Sequence, residues 1–239
     1  MTPARALTTA AALGVAATCG YLTARHTLRA ELDAIRHTAH HDPLTGAYNR
    51  AGLAATADDL IHTAHTARRP IVVALVDLVG FKAVNDTHGH DAGDHILTVV
   101  ASRLHGIAGP AGITARLGGD EFAILTTGPA ARLGDADTWL SGWLPRTHHR
   151  LTTATVHGQQ SLAVGATLGA TLAHPGQPAS VWLHRADLAM YAARARQSTT
   201  AVYDGPADDT STPVDRPTDR TRDRARPTRR LSRVWGLAG

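Results

Sequence analysis

The stretch "RLGGDEFAIL", residues 116–125, decides the fold. Two glycines stand directly before two carboxylates, and the chain then returns at once to apolar residues. "GITARL" (112–117) and "EFAILTT" (121–127) on either side read as short strands. The Gly-Gly-Asp between them makes a hairpin turn, with glycine where positive φ is needed. A turn that sets Asp120 and Glu121 beside bare backbone suits a phosphate-bearing ligand held with a metal ion.

Working outward, "IVVALVDL" (71–78) is a continuous apolar, β-branched run and reads as a buried strand. "VGFKAVNDTHGHDAGD" (79–94) reads as a loop. Residues 92–104 return to helical spacing, with Ile96, Leu97, Val100 and Leu104 apolar. Further helices are expected over 50–66, 130–150 and 181–196. "RLTTATV" (150–156) and "LAVGATLGATL" (162–172) read as a second strand pair across "HGQQ", and "TAVYD" (200–204) as a strand closing the sheet. This order predicts an α+β fold, with a mainly antiparallel central sheet flanked by helices and an N-terminal helical segment.

The chain has 239 residues, 43% of them hydrophobic, which suits one domain with flanking segments. Its net charge is +4 and its pI about 9.8, but much of the basic charge lies in the C-terminal tail, so it says little about the folded part. Cys19 is the single cysteine, and no internal disulfide can form. Residues 6–24 carry no formal charge over 19 residues, near the length needed to cross a bilayer. Arg25, Arg29 and Arg36 follow the run and favour a cytoplasmic C-terminal side. Residues 1–24 therefore read as a single-pass anchor in the cytoplasmic membrane, with the rest of the chain inside. A cleaved signal peptide and a soluble Ala-rich helix are the alternatives. Residues 25–41 read as a helical linker. Leu28, Leu32, Ile35 and Ala39 form a seam that suits either pairing with a second copy or a plain amphipathic helix. The folded domain is expected over 42–204. Residues 205–239, rich in Pro, Asp, Thr and Arg, read as a disordered basic tail. A nucleic-acid role would rest on charge alone, and no such partner is expected.

The chemistry concentrates on carboxylates at strand ends. Asp77 closes the first strand, and Asp120 and Glu121 occupy the hairpin turn. Two carboxylate sources on neighbouring strands suit a hard cation such as Mg²⁺, with phosphate oxygens and water completing its shell. Gly118 and Gly119 let phosphate or sugar approach the backbone. Lys82 follows five residues after Asp77, in a segment with free N–H groups. Asn85 and Asp94 together donate to and accept from a base edge; a carboxylate takes two N–H bonds of the kind guanine presents. The 15 histidines show no zinc-binding spacing, and neither a G-x-S-x-G nor a Walker motif is present.

"RLGGDEFAIL" resembles the signature of GGDEF domains, the diguanylate cyclases. "DPLTGAYNR" (42–50), "VDLVGFKAVNDTHGHDAGDHIL" (76–97), "VGATLGAT" (164–171) and "ADLAMYAARAR" (186–196) resemble that family's other blocks, in the family's order. The resemblance covers roughly residues 40–204. It implies a fold related to nucleotide cyclases and the polymerase palm. It also implies one GTP per domain and a homodimer in which each 3′-hydroxyl attacks the α-phosphate of the other GTP, giving cyclic di-GMP and two pyrophosphates. By the same resemblance, Asp77, Asp120 and the Leu78 carbonyl hold Mg²⁺, or Mn²⁺ in its place. Asp120 or Glu121 helps deprotonate the 3′-hydroxyl. Asn85 and Asp94 read guanine, His90 lines the nucleotide site, and Lys82 and Arg194 hold phosphates beside Gly118 and Gly119. Five positions depart from the pattern. Val79 stands where the family often has a second Asp. Arg194 replaces a Lys, and Ser198 replaces the Arg that follows it by four. Gly109 and Gly112 stand where the product-inhibition site would need Arg and Asp. The alternative to an active cyclase is a degenerate domain that binds GTP and signals without turnover.

Overall fold

The computed structural model describes residues 20–29, 31, 35, 37–129, 135–174 and 176–205. At its centre lies β1 (Ile71–Val79), whose first eight residues are all buried. A run this apolar needs cover on both faces, and the sheet supplies the frame for it. The chain continues through α2 (Phe81–His88) and α3 (His90–Ala108), the hairpin β2 (Ile113–Gly118) and β3 (Glu121–Thr127), and then α4 (Ala136–Thr152). Next come β4 (Thr155–His157), β5 (Gln160–Leu162), β6 (Gly165–Ala173), α5 (Ala179–Ala195) and β7 (Thr200–Val202); α1 (Arg50–Thr66) precedes β1. The five-stranded sheet has the order β2-β3-β1-β6-β7. Every pair in it is antiparallel except β6 with β7. The expected α+β class is the one found.

Alternation along β1 divides the core. Ile71, Val73 and Leu75 face α1 and α5, where they meet Leu53, Ile61, Trp182, Leu183 and Met190. Val72, Ala74, Val76 and Leu78 face α3 and α4, against Ile96, Val100, Leu104, Leu140 and Leu144. Both layers cover the sheet, so the strand ends, and not its faces, are left to bind a ligand.

Two expectations need correction. The segment 79–94 is not a loop: Gly80, at φ 81°, starts α2, and a second glycine, Gly89, separates it from α3. With eight residues and only Val84 buried, α2 carries too little apolar periodicity to be recognised. The expected late strand pair is also divided differently. Arg150–Thr152 end α4, while β4 and β5 form a small sheet of their own, leaving β6 to pair with β1. "TAVYD" does close the main sheet, through β7.

Residues 20–29 and 37–40 are helical, with Leu28 57% and Ile35 64% exposed. Leu32 of the expected seam lies outside the described residues, as do residues 1–19 of the expected anchor and 206–239 of the tail. Among the described residues no helix is long and apolar enough to cross a membrane.

Candidate active site

The β1–β3 register sets Asp77 opposite Glu121, so these two side chains share the α1/α5 face of the sheet. One step on, the Leu78 N–H donates to the Asp120 carbonyl at 3.2 Å, which ties the turn to the end of β1. Asp77 and Asp120 are only 7% and 5% exposed, and Glu121 is half-buried. Arg194, at the end of α5, lies on the same face, and its Nη2 forms an ion pair with Asp77 Oδ2.

The turn needs its glycines. Gly118 has φ 150° and Gly119 φ 52°, and the β2–β3 register slips between Arg116 and Gly118. Arg116 of β2 holds it, with Asp42 and Arg50 from outside the hairpin. Arg116 donates from Nε and Nη2 to the Gly119 carbonyl at 3.0 and 2.8 Å. Its Nη1 lies 3.2 Å from each carboxylate oxygen of Asp42. Asp42 in turn accepts from the Thr45 N–H at 2.9 Å and the Thr45 hydroxyl at 2.7 Å. Burial raises the Asp42 pKa, but these hydrogen bonds and the Arg116 charge outweigh it and hold the carboxyl below its usual range. Arg50 Nη2 donates to the Leu117 carbonyl at 2.8 Å. Burial pulls the Arg50 guanidinium down from its usual value, and the nearby Glu121 opposes that. Sequence reasoning gave Asp42, Arg50 and Arg116 no role. All three lie inside the quoted blocks, but a pairing across 74 residues leaves no local signal.

The α2–α3 pair carries the remaining predicted residues. Asn85 is half-buried on α2, and Asp94 and His90 are exposed on α3. Gly93 is buried directly against the Asn85 side chain, so a Cβ there would overlap Asn85 Oδ1. Lys82 is exposed and pairs with Asp86 at 2.7 Å, one turn along the same helix. Ser198 donates its hydroxyl to the Thr200 carbonyl at 2.9 Å, closing the link from α5 to β7. Gly109, at φ 74°, ends α3, and a Cβ at Gly112 would overlap the Ala108 carbonyl oxygen. A cavity of about 330 Å³ between residues 45–48, α3 and Thr114 includes none of the predicted site residues.

The donor set suits a hard divalent cation. Asp77 and Asp120 offer buried carboxylates on hydrogen-bonded segments, and the half-buried Glu121 lies opposite Asp77. Among the described residues no three His, Cys, Asp or Glu side chains gather as a metal cage. A cation here would therefore draw ligands from substrate phosphates and water.

The family model for the diguanylate cyclase GGDEF domain matches residues 39–200, more than half of the chain. A signalling protein of Caulobacter vibrioides without assigned function is 35% identical over 177 residues, covering 73% of this chain and 21% of that protein. The diguanylate cyclase TpbB of Pseudomonas aeruginosa is 34% identical over 175 residues, covering 70% of this chain and 38% of TpbB. The chain thus spans about two fifths or less of the length of these relatives. Among solved structures, the coiled coil and GGDEF domain of DgcB from Caulobacter crescentus, in complex with c-di-GMP, superposes with a TM-score of 0.63 at 26% identity. That match covers 78% of this chain and 97% of the DgcB chain.

Proposed function

The chain belongs to the GGDEF-domain family of diguanylate cyclases, and we propose that it condenses two GTP into cyclic di-GMP and two pyrophosphates at a site completed by a second copy. The observation that carries this reading is the pairing of β1 with the Gly-Gly-Asp turn, with Asp77 opposite Glu121 and Leu78 bonded to Asp120. Asp77, Asp120 and the Leu78 carbonyl would hold Mg²⁺, with Mn²⁺ able to replace it. When bound, the cation neutralises phosphate charge and favours the 3′-alkoxide. A carboxylate oxygen of Asp120 or Glu121 accepts the 3′-hydroxyl proton. The 3′-oxygen bonds to the α-phosphorus of the facing GTP, and the α–β bridging bond breaks to release pyrophosphate. A second such step closes the ring. Asn85 and Asp94 bind guanine, with His90 beside them, while Lys82, Arg194 and the open backbone of Gly118 and Gly119 meet the phosphates. Gly109 and Gly112 offer product phosphates no charged side chain, so product competes only at the GTP site. On sequence grounds, residues 6–24 support attachment to the cytoplasmic membrane with the catalytic domain on its cytoplasmic side.

Ser198 favours a second reading, a domain that binds GTP without turnover, because its hydroxyl serves the α5–β7 link where a second cationic phosphate ligand is expected. One experiment separates the two. The purified chain is incubated with GTP and Mg²⁺, and products are resolved by chromatography and mass. Cyclic di-GMP should form, and Asp120→Asn should cut turnover by about a hundredfold or more with an unchanged circular dichroism spectrum. GTP binding without product would select the second reading. Near-normal turnover in Asp120→Asn would remove Asp120 from the chemistry.

A further inference from the structure

Asp77 is a carboxylate 7% exposed at the end of the central strand, and the cation that meets it is Arg194 from a different element. The Arg194 side chain is 45% exposed, so it reaches inward from the surface with room to withdraw. Lys82 is engaged with Asp86 on α2, and Arg50 is held by the Leu117 carbonyl. We propose that Arg194 is a stand-in cation: it neutralises Asp77 until a metal–nucleotide pair arrives, then yields Asp77 to the metal and moves to the phosphates. The proposal rests on the reading of Asp77 as a metal ligand.

A buried carboxylate is costly unless it is paired, hydrogen-bonded or neutralised, and at Asp77 an arginine does the pairing. A guanidinium and a divalent cation repel each other at close range, so only one can hold the same carboxylate oxygen. Metal alone must therefore displace Arg194 into solvent, with no anion to receive the arginine. Nucleotide supplies that receiver, because phosphate oxygens fit the guanidinium fork. Metal and nucleotide should then bind with positive coupling that passes through one side chain, and the coupling must be reciprocal. Ordered arrival follows: the empty domain holds free metal weakly, and the site assembles when both partners are present.

The test measures Mn²⁺ binding to the full chain by electron paramagnetic resonance, first without nucleotide and then with a non-hydrolysable GTP analogue. Without nucleotide, Arg194→Gln should bind Mn²⁺ about tenfold more tightly than the wild type, within the usual range of site coupling. The analogue should then tighten Mn²⁺ binding more in the wild type than in Arg194→Gln. Equal or weaker nucleotide-free affinity in the variant overturns the proposal. Asp77→Asn is the control and should lose Mn²⁺ in either background. If neither wild type nor Arg194→Gln binds Mn²⁺ even with the analogue, the metal-site reading itself fails, a result distinct from equal affinities. Melting in chelator gives a second readout: Arg194→Gln should melt below the wild type and be raised further by Mn²⁺, and equal Mn²⁺ shifts also overturn the idea. Should Arg194→Gln not fold, Arg194→Met is measured instead, where unchanged nucleotide-free affinity counts against the proposal and a several-fold tightening supports it.

Discussion

At position 42 one carboxylate accepts from the Thr45 N–H, the Thr45 hydroxyl and the Arg116 guanidinium, and Arg116 carries the contact on to the Gly119 carbonyl. Asp42 thus acts on Asp120 without touching it, by fixing the backbone one residue before it. Its depressed pKa has a definite consequence for stability. The unfolded chain takes up the proton first, near the ordinary value of 3.8, so the stabilisation is complete above that pH and is lost as pH falls toward the lower folded value. Asp42→Asn should cost about 1–3 kcal/mol at pH 7, the usual cost of breaking hydrogen bonds to a charged group. Urea melts of both proteins at pH 7, 5, 4 and 3 should show the gap closing below about pH 4, near the unfolded carboxylate pKa. A gap that stays constant across that range would mean the Asp42 charge is not what stabilises the turn.

Two glycines on different elements shape the site in physically different ways. A Cβ at Gly93 would strike the side-chain oxygen of Asn85, which can rotate away. A Cβ at Gly169 of β6 would strike the Met190 nitrogen and the Ala186 carbonyl oxygen, both backbone atoms of α5, which can clear it only if the helix moves. Gly93→Ala should therefore fold almost normally and raise the KM for GTP, since the residue proposed to read guanine is turned aside. Gly169→Ala should lose about 1–3 kcal/mol of stability and, by lifting α5, pull Arg194 from Asp77. Denaturant midpoints and GTP titrations of both variants test this, and equal losses of stability would refute the contrast. The same contacts show what the sequence could reveal. Long apolar runs announced β1, β3 and α3 because burial repeats over many residues. The turn carboxylates were legible because glycine and acid stand side by side. α2 was not, because its contribution is two polar side chains on a helix with one buried residue. Nor were the Asp42–Arg116 and Asp77–Arg194 pairs, since each joins segments that only the folded sheet brings together.

Over the whole molecule, the helical residues 37–40 lead into the domain through contacts that end at the Gly-Gly-Asp turn. Asn49 Nδ2 donates to the Ala39 carbonyl at 2.8 Å and the His41 carbonyl at 3.3 Å, and Asp42 follows at once with its link to Arg116. Before them, Leu28 and Ile35 are exposed apolar side chains among the described residues. On the proposed reaction, a product with two 3′-to-5′ links would need two domains facing each other, each holding one GTP. Pairing through the exposed helix would raise the effective concentration of one site at the other without altering either. A chain beginning at His40 should therefore be largely monomeric, and its specific activity should rise with protein concentration. The longer chain, in detergent or lipid, should be more active per molecule when dilute. The comparison is a dilution series over about a hundredfold, with sedimentation on the same samples, a span chosen to exceed the gain that tethering commonly gives at its lower end. Constant specific activity and a dimeric truncated protein would place the dimer contact within the domain, and the exposed Leu28 and Ile35 would then need a different partner.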